Sequence, residues 1–367
     1  MDLQAVVSQF EVGEFISSEE IRAGIINGTF GVTCRSLEDR DKTERYVFQR
    51  INTYVFKHPR ELMQNIEAVT THIQQRILRS SDSFDRRVLH FVRAKDGKLY
   101  LDHPEYGFWR AYHFVEGTCS YNTIQDPRQF YELGRTFGRF QRQLSDFPAQ
   151  TLHETIPNFH NTIDRLRLLD EAIARNAAGR RDEVKEEIAF IEQRRDEAGA
   201  IVRALESGAI PWRVTHNDTK LNNALFDTAT GKAICVIDLD TVMPGSALYD
   251  YGDAIRSGAN DAAEDEPDLS KVSLNMELFE QFTQGFLEGT HGFLTEAEVD
   301  LMAPSAKILT LELAMRFLTD YLDGDLYFKT CYPDHNLVRT RNQLQLVRDM
   351  EHKMPQMEAI IRQYQPK

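Results

Sequence analysis

Residues 214–226 read VTHNDTKLNNALF, and no other stretch limits the fold as strongly. His216, Asp218, Lys220, Asn222 and Asn223 crowd between apolar Val214 and the pair Leu225 and Phe226. Buried polar groups need partners, and buried charges need opposite charges or a metal. The run is therefore either a solvated turn or a site around which the rest of the chain is arranged. The sequence on both sides decides between the two.

The chain before about residue 115 has the period of strands, interrupted by one helix. IRAGIINGTFGVTC (residues 21–34) is β-rich on both sides of Asn27-Gly28, a hairpin signal. RYVFQRI is a second alternating run. PRELMQNIEAVTTHIQQRIL then sets Leu62, Ile66, Val69, Ile73 and Ile77 at helical spacing behind Pro59. RRVLHFVRA, KLYLD and GFWRAYHFV read as three more strands, the first two joined by a turn at Lys95-Asp96-Gly97-Lys98.

From about residue 126 the period is helical, and PRQFYELGRTFGRFQRQL aligns Phe130, Leu133, Phe137, Phe140 and Leu144 on one face. Residues 180–206 read as one charged helix with a solvated face. Further helices are expected near 274–289, 295–323 and 340–362, and DAAEDEPD (261–268) reads as an acidic surface loop. The fold class is α+β in two lobes, a β-rich one over residues 1–115 and a larger helical one over 116–367. A cleft between such lobes is a usual place for a ligand.

Charge bounds the partners. Lys and Arg number 43 against 57 Asp and Glu, a formal net charge of -14. Such a surface repels nucleic acid and anionic membranes, and a phosphate-handling site within it needs local positive charge or a metal. The four cysteines form no CxxC pair and read as free thiols of a reducing compartment. The first residues lack a basic, apolar leader pattern, and no run approaches the roughly 20 apolar residues of a membrane span. A cytoplasmic monomer is the expectation.

The spacing H-x-D-x-K-x-x-N suits phosphoryl transfer, which asks for positioning and charge neutralisation more than covalent chemistry. Asp218 would accept the proton of an attacking hydroxyl, and Lys220 would sit beside the transferred phosphate. The amide oxygen of Asn223 would face Mg²⁺, which takes oxygen ligands. His216 would anchor the loop through backbone hydrogen bonds. Downstream, CVIDLDTVMPG is an apolar strand ending in Asp238 and Asp240, and LFDTATGKAICVI reads as a hairpin turning at Thr230-Gly231. That hairpin would bring Asp238 beside the loop as a second metal ligand.

HNDTKLNN and VIDLD resemble the catalytic loop and metal-binding aspartate of the aminoglycoside phosphotransferase and choline kinase superfamily, which has the protein-kinase-like fold. VTHNDTKLNNALFD, VIDLDTVMPGSALYDYGDAIR, AMRFLTDYLDGDLYF and YPDHNLVRTR together resemble the bacterial N-acetylhexosamine 1-kinases. The similarity runs from IINGTF to the C-terminal helix. It implies ATP, Mg²⁺ and transfer to the anomeric hydroxyl of N-acetylglucosamine or N-acetylgalactosamine.

On that likeness Ile26, Asn27 and Gly28 lie in the phosphate-covering loop, here with one glycine where several are usual. Gln49 stands where most kinases have a lysine, and Glu67 is in the place of that lysine's partner. AYHFVEGT fits a hinge, with Phe114 and Val115 beside adenine. Arg316 and Tyr327 are candidates for the sugar hydroxyls, and Tyr121 and Asn122 follow the linker and could face the cleft. Two alternatives stay open: a kinase of the same fold acting on an aminoglycoside, homoserine or choline, and a nucleotide-binding pseudokinase.

Overall fold

The computed structural model describes residues 2–21, 26–78 and 86–366. A short helix, α1 (Leu3–Val7), precedes strands β1 (Phe15–Glu20), β2 (Gly28–Arg35) and β3 (Thr43–Arg50). Helix α2 (Pro59–Leu78) and strands β4 (Leu101–His103) and β5 (Gly107–His113) follow, and the sheet runs β1-β2-β3-β5-β4. Every neighbouring pair is antiparallel.

Alternation along the strands gives this sheet two different faces. Val32, Cys34, Tyr46, Phe48, Trp109 and Ala111 close over Val6, Val7 and Phe10 in one apolar cluster. Gln49 and Arg110 are cross-strand partners that point to the other face. On α2, Leu62, Ile66, Val69, Ile73 and Ile77 are all buried, and they join the main core of the helical part. The Asn65 amide fastens α2 to the same part, donating to the carbonyls of His153 (2.8 Å) and Val242 (3.0 Å).

The sheet departs from expectation in two places. The first hairpin is formed by β1 and β2, so Asn27-Gly28 leads into β2 instead of closing a tight turn, and neither residue has positive φ. Residues 22–25 of that expected strand lie outside the described residues. Residues 86–94 form no regular strand. They alternate partners, with isolated bridges Phe91↔Tyr112 on β5 and Phe10↔Ala94 next to α1. A segment shared between two neighbours cannot keep one ladder. The turn at residues 95–98 forms as expected, with Gly97 at φ 85°.

β6 (Thr118–Cys119) leads into α3 (Pro127–Gln143), which opens on a capping box of Asp126 and Gln129 with Pro127 at the first turn. Helix α4 (Thr162–Arg175) comes next. Residues 180–206 are a 3-10 turn (Arg181–Glu183) followed by three α-helices, α5 (Lys185–Glu192), α6 (Arg195–Ala198) and α7 (Ala200–Glu206), and not one helix. Phe190, Ile191 and Ala198 pack into one core cluster while Ile201 and Leu205 pack into another, so the chain must bend between them. Its charges are partly engaged as well: Arg194 pairs with Glu351 at 2.7 Å.

Strands β7 (Arg213–Thr215), β8 (Ala224–Asp227), β9 (Ala233–Val236) and β10 (Met243–Gly245) follow. They form a three-stranded sheet β6-β8-β9 and a pair β10-β7. The helices α8 (Ala247–Gly258), α9 (Met276–Thr290), α10 (Glu296–Asp300), α11 (Met302–Asp323) and α12 (His335–Tyr364) complete the chain. Helices α3 and α9 lie backbone to backbone: a Cβ on Gly134 or Gly138 would come 2.3 Å from a carbonyl of α9. Among the described residues no helix is long and apolar enough to cross a membrane.

Candidate active site

The polar knot occupies the turn between β7 and β8. Its backbone is pinned from below by α8. Asp250 accepts from the amides of His216 (3.0 Å) and Asn217 (2.8 Å), and Asp253 accepts from Thr219 at 3.0 Å. The two carboxylates stand three residues apart and so share a face of α8. His216 is fully buried. Its Nε2 lies 2.9 Å from the Ile237 carbonyl, and its ring meets Phe137 edge-on at 5.3 Å. Asn217 holds φ 67°, a conformation that Asn tolerates better than most residues.

This scaffold presents Asp218, Lys220 and Asn223 together. Lys220 Nζ is 2.7 Å from one Asp218 oxygen, and Asn223 Nδ2 donates to the other at 2.9 Å. Asn223 Nδ2 also donates to the Asp218 carbonyl at 2.8 Å, which fixes the amide orientation. Desolvation works against the charge on Lys220, but Asp218 and Asp253 outweigh it and raise its pKa.

The strand β9 ends at Val236, so Asp238 and Asp240 do not share a face. Asp238 sits at φ 59°, ψ 58°, exposed to solvent, whereas Asp240 is buried. The surrounding protein still pushes the Asp238 carboxyl up to about 6, through desolvation first and the neighbouring Asp240 carboxylate second. The Ile237 amide donates to the Asn223 carbonyl at 2.9 Å and the Thr241 hydroxyl to the His216 carbonyl at 2.6 Å, so the two polar loops are stitched to each other.

The small sheet supplies a cation that the sequence reading missed. Arg110 is buried on β5, donates from Nε to Gln49 Oε1 at 2.8 Å, and forms an ion pair with Asp240. Gln49 also donates to Thr29 at 3.3 Å. Glu67 is not part of this group. It pairs at the surface with Arg93 at 3.3 Å, and the position opposite Gln49 is filled by Arg110. Asn27 reaches over as well, donating to Asp240 at 2.6 Å and accepting from the Asn52 amide at 2.9 Å. Ile26 is exposed beside it, and Ile26 and Gly28 line an open recess of about 390 Å³ together with Arg50 and Asn52.

At the expected hinge, the Phe114 amide donates to the Arg45 carbonyl at 2.9 Å, and the Arg45 guanidinium covers the Phe114 ring at 3.8 Å. The Val115 carbonyl accepts from the Thr118 hydroxyl at 2.6 Å, and the Val115 side chain packs against the main core. Tyr121 meets Phe226 edge-on at 5.0 Å, which sets it on the β8 side of the linker, and Asn122 is exposed.

Arg316 and Tyr327 belong to a different neighbourhood from Tyr121 and Asn122. Glu312, buried one helical turn before Arg316, has an oxygen 2.9 Å from His160 Nδ1. Arg165 and Arg316 stand further off, at 3.9 Å and 4.0 Å. His160 Nε2 is 3.3 Å from the Asn217 carbonyl, so this cluster abuts the loop that carries Asp218. Desolvation opposes charge on His160, yet Glu312 prevails and raises its pKa, while Glu312 itself is held low against desolvation chiefly by His160. The Tyr327 side chain is exposed, and its amide donates to Asp320 at 2.7 Å.

The residues missed in the sequence had one legible signal, YDYGDAIR, in which Asp250 and Asp253 interrupt an apolar helix. A buried carboxylate must be matched to donors. His160 in the turn before α4, Arg165 on α4 and Glu312 on the distant α11 left no local pattern.

The sequence profile of a family described as the phosphotransferase enzyme family matches residues 23–282. Among solved structures, the fold resembles that of a microcompartment-associated aminopropanol kinase, with TM-score 0.63 and 18% identity over 97% of this chain and 98% of that one. It also resembles an aminoglycoside phosphotransferase from Alicyclobacillus acidocaldarius, with TM-score 0.62 and 14% identity over 98% and 95%. A spectinomycin phosphotransferase in complex with ADP and spectinomycin matches with TM-score 0.58 and 15% identity over 95% and 97%. At these identities the likeness is one of fold.

Proposed function

The chain belongs to the phosphotransferase enzyme family, and from that premise we propose that it transfers the γ-phosphate of ATP to the anomeric hydroxyl of an N-acetylhexosamine. In this reading residues 1–115 form the nucleotide-binding lobe and residues 116–367 the catalytic and sugar-binding lobe. The observation that carries it is the meeting of Asp218, Lys220 and Asn223 with Asp238 close by, in a loop whose backbone is spent on Asp250 and Asp253. A site built this way is preorganised, and phosphoryl transfer depends on that.

Asp218 orients the sugar hydroxyl and accepts its proton as the bond to phosphorus forms. The anomeric hydroxyl is the most acidic of a free hexose, so a carboxylate suffices for late proton transfer. Lys220 neutralises charge on the phosphate that moves. ADP leaves, and the sugar 1-phosphate is the product. Choosing position 1 and an N-acetylhexosamine rests on the sequence likeness of the segments after residue 214.

Mg²⁺ fits the donors present. The Asp238 carboxylate and the Asn223 amide oxygen would hold it, and its charge would stabilise the nucleotide phosphates. Among the described residues no group of three or more His, Cys, Asp or Glu could hold a metal alone. Mg²⁺ commonly takes one or two protein oxygens and completes its shell with phosphate and water. Asn27 and Gly28 would cover the phosphates, Gln49 and Arg110 would face them from the sheet, and the backbone at Phe114 and Val115 would border adenine.

An ATP-consumption assay over N-acetylglucosamine, N-acetylgalactosamine, glucose, galactose, choline and kanamycin tests the reading. Fastest turnover with an N-acetylhexosamine is expected, and a clear preference for choline or kanamycin would refute it.

A further inference from the structure

Beneath the loop that carries Lys220 lies a buried cation on α8. Arg256 stands one helical turn after Asp253, and the two side chains are 9% and 7% exposed. Its Nε and Nη2 both donate to Asp253 Oδ1, at 3.2 Å and 2.7 Å, and Nη1 donates to Glu264 at 3.3 Å. The other Asp253 oxygen accepts the Thr219 amide at 3.0 Å, one residue before Lys220. Glu264 lies in the acidic segment 261–268, which is docked on α12. Asn342 donates to the carbonyls of Ala263 (2.9 Å) and Glu266 (3.3 Å), and His335 Nε2 is 3.2 Å from Asp265. A continuous chain of contacts thus runs from α12 through Glu264, Arg256 and Asp253 to the loop that carries Lys220.

A carboxylate stays buried and ionised only with a counter-charge at hand. Desolvation works against the charge on Asp253 first, and Arg256, then Lys220 and His160, outweigh it and lower its pKa. Burial likewise opposes the charge on Arg256, which Asp253 first, then Glu264 and Asp218, hold. Lys220 depends on the result: burial opposes its charge, Asp218 and then Asp253 restore it, and Arg256 by itself opposes it. Arg256 therefore helps the lysine only through the carboxylate between them. Removing Arg256 leaves Asp253 with Lys220 and His160 as counter-charges, and the carboxyl then gains a proton at higher pH. A neutral Asp253 holds the Thr219 amide less strongly and gives Lys220 no balancing charge.

We propose that Arg256 is a positioning residue for phosphoryl transfer: it fixes Asp253 under the catalytic loop, and Asp253 in turn sets the Thr219 amide and balances the charge of Lys220. The guanidinium fork reaches Asp253 and Glu264 at once, with a geometric control that the point charge of an ammonium does not supply. The acidic segment gains a role by the same route, as the anchor that holds the outer end of Arg256 against α12. This inference rests on the proposed reading only in taking Asp218 and Lys220 as the groups that act on the acceptor and the moving phosphate. It is independent of which alcohol accepts that phosphate.

Steady-state kinetics of the full chain as a function of pH tests it, with ATP and whichever acceptor of the panel is turned over fastest. In Arg256→Gln kcat should fall by about tenfold or more, the scale of one charge-assisted hydrogen bond, while the KM values for ATP and acceptor stay within a few fold. The acid limb of its kcat profile should move up by about one pH unit or more. Arg256→Lys should return the limb toward the parent and recover part of kcat. Asp253→Asn has no carboxyl to titrate, so kcat should be low and adding Arg256→Gln should move the limb no further. A parent-like kcat and profile in Arg256→Gln, even with a lower melting temperature, would assign Arg256 a purely structural role and overturn the inference. A limb that still moves in the Asp253→Asn background would overturn it too, because the effect then bypasses Asp253. Should Arg256→Gln not fold, the isosteric Asp253→Asn decides, with a kcat loss of about tenfold in favour and a parent-like kcat against. Fastest turnover of choline or kanamycin would retire the N-acetylhexosamine reading and leave this inference standing. Fastest turnover of N-acetylglucosamine with an unaltered kcat in Arg256→Gln would do the reverse, and no ATP turnover with any acceptor would end both.

Discussion

Arg110 on the small sheet and Asp240 in the helical part form a buried ion pair that ties the sheet to the helical part. Gln49 supports it from the adjacent strand, and Asn27 holds the other Asp240 oxygen. A kinase-like chain without the usual strand lysine thus keeps a cation in the same part of the sheet, one strand over. Arg110 also lowers the raised pKa of Asp238, so it acts on the neighbouring carboxylate from a distance.

Breaking this pair from one side should be costly. Arg110→Met leaves Asp240 buried and uncompensated, a loss of about 3–5 kcal/mol. The double variant Arg110→Met/Asp240→Leu should recover much of that. Urea unfolding of both singles and the double gives the coupling energy, and simple additivity would mean the two residues do not act as a pair.

Gln49→Ala should remove one hydrogen bond to Arg110 and cost about 1 kcal/mol. Turnover should fall modestly. A loss of several orders of magnitude would require a direct contact between Gln49 and the reacting groups.

Asp238→Asn should separate stability from activity. Burial and Asp240 raise the Asp238 pKa, which means that the fold disfavours its charged form. For an acid with a raised folded value, ionisation at neutral pH works against stability. The variant is therefore expected to melt no lower than the parent at pH 7 while losing ATP turnover. A sharply lower melting temperature would make Asp238 a structural residue.

Asp250→Ala should damage the loop from beneath. Two backbone amides lose their acceptor, at about 1–3 kcal/mol each. Both stability and turnover are expected to drop, because the loop that aims Asp218 is held there. Full activity would show that the loop needs no such support.

Asp218→Asn and Lys220→Ala should both act on kcat. An amide at position 218 still hydrogen-bonds the acceptor but takes no proton, so acceptor KM should stay within a few fold. Lys220→Ala leaves charge on the moving phosphate uncompensated. A rise in acceptor KM with unaltered kcat in either variant would move that residue from chemistry to binding.

Local pattern made part of this legible. The α2 stripe from Leu62 to Ile77 and the Phe130–Leu144 face of α3 are helix-period signals, and both form as expected because burial enforces them. The grouping of Asp218, Lys220 and Asn223 was readable because all three lie in one turn. What could not be read depends on packing between distant segments. Arg110 looks like any strand arginine until its register opposite Gln49 is known. His160, Arg165 and Glu312 meet only because α4 crosses α11. The break in residues 180–206 reflects two core clusters, which a single hydrophobic stripe does not reveal.

Phosphorus NMR of the product formed from ATP and N-acetylglucosamine or N-acetylgalactosamine tests the central claim most directly. A new phosphate signal coupled to the anomeric proton is the predicted result. A 6-phosphate, or no phosphorylated sugar while a cationic alcohol is phosphorylated under the same conditions, would contradict it.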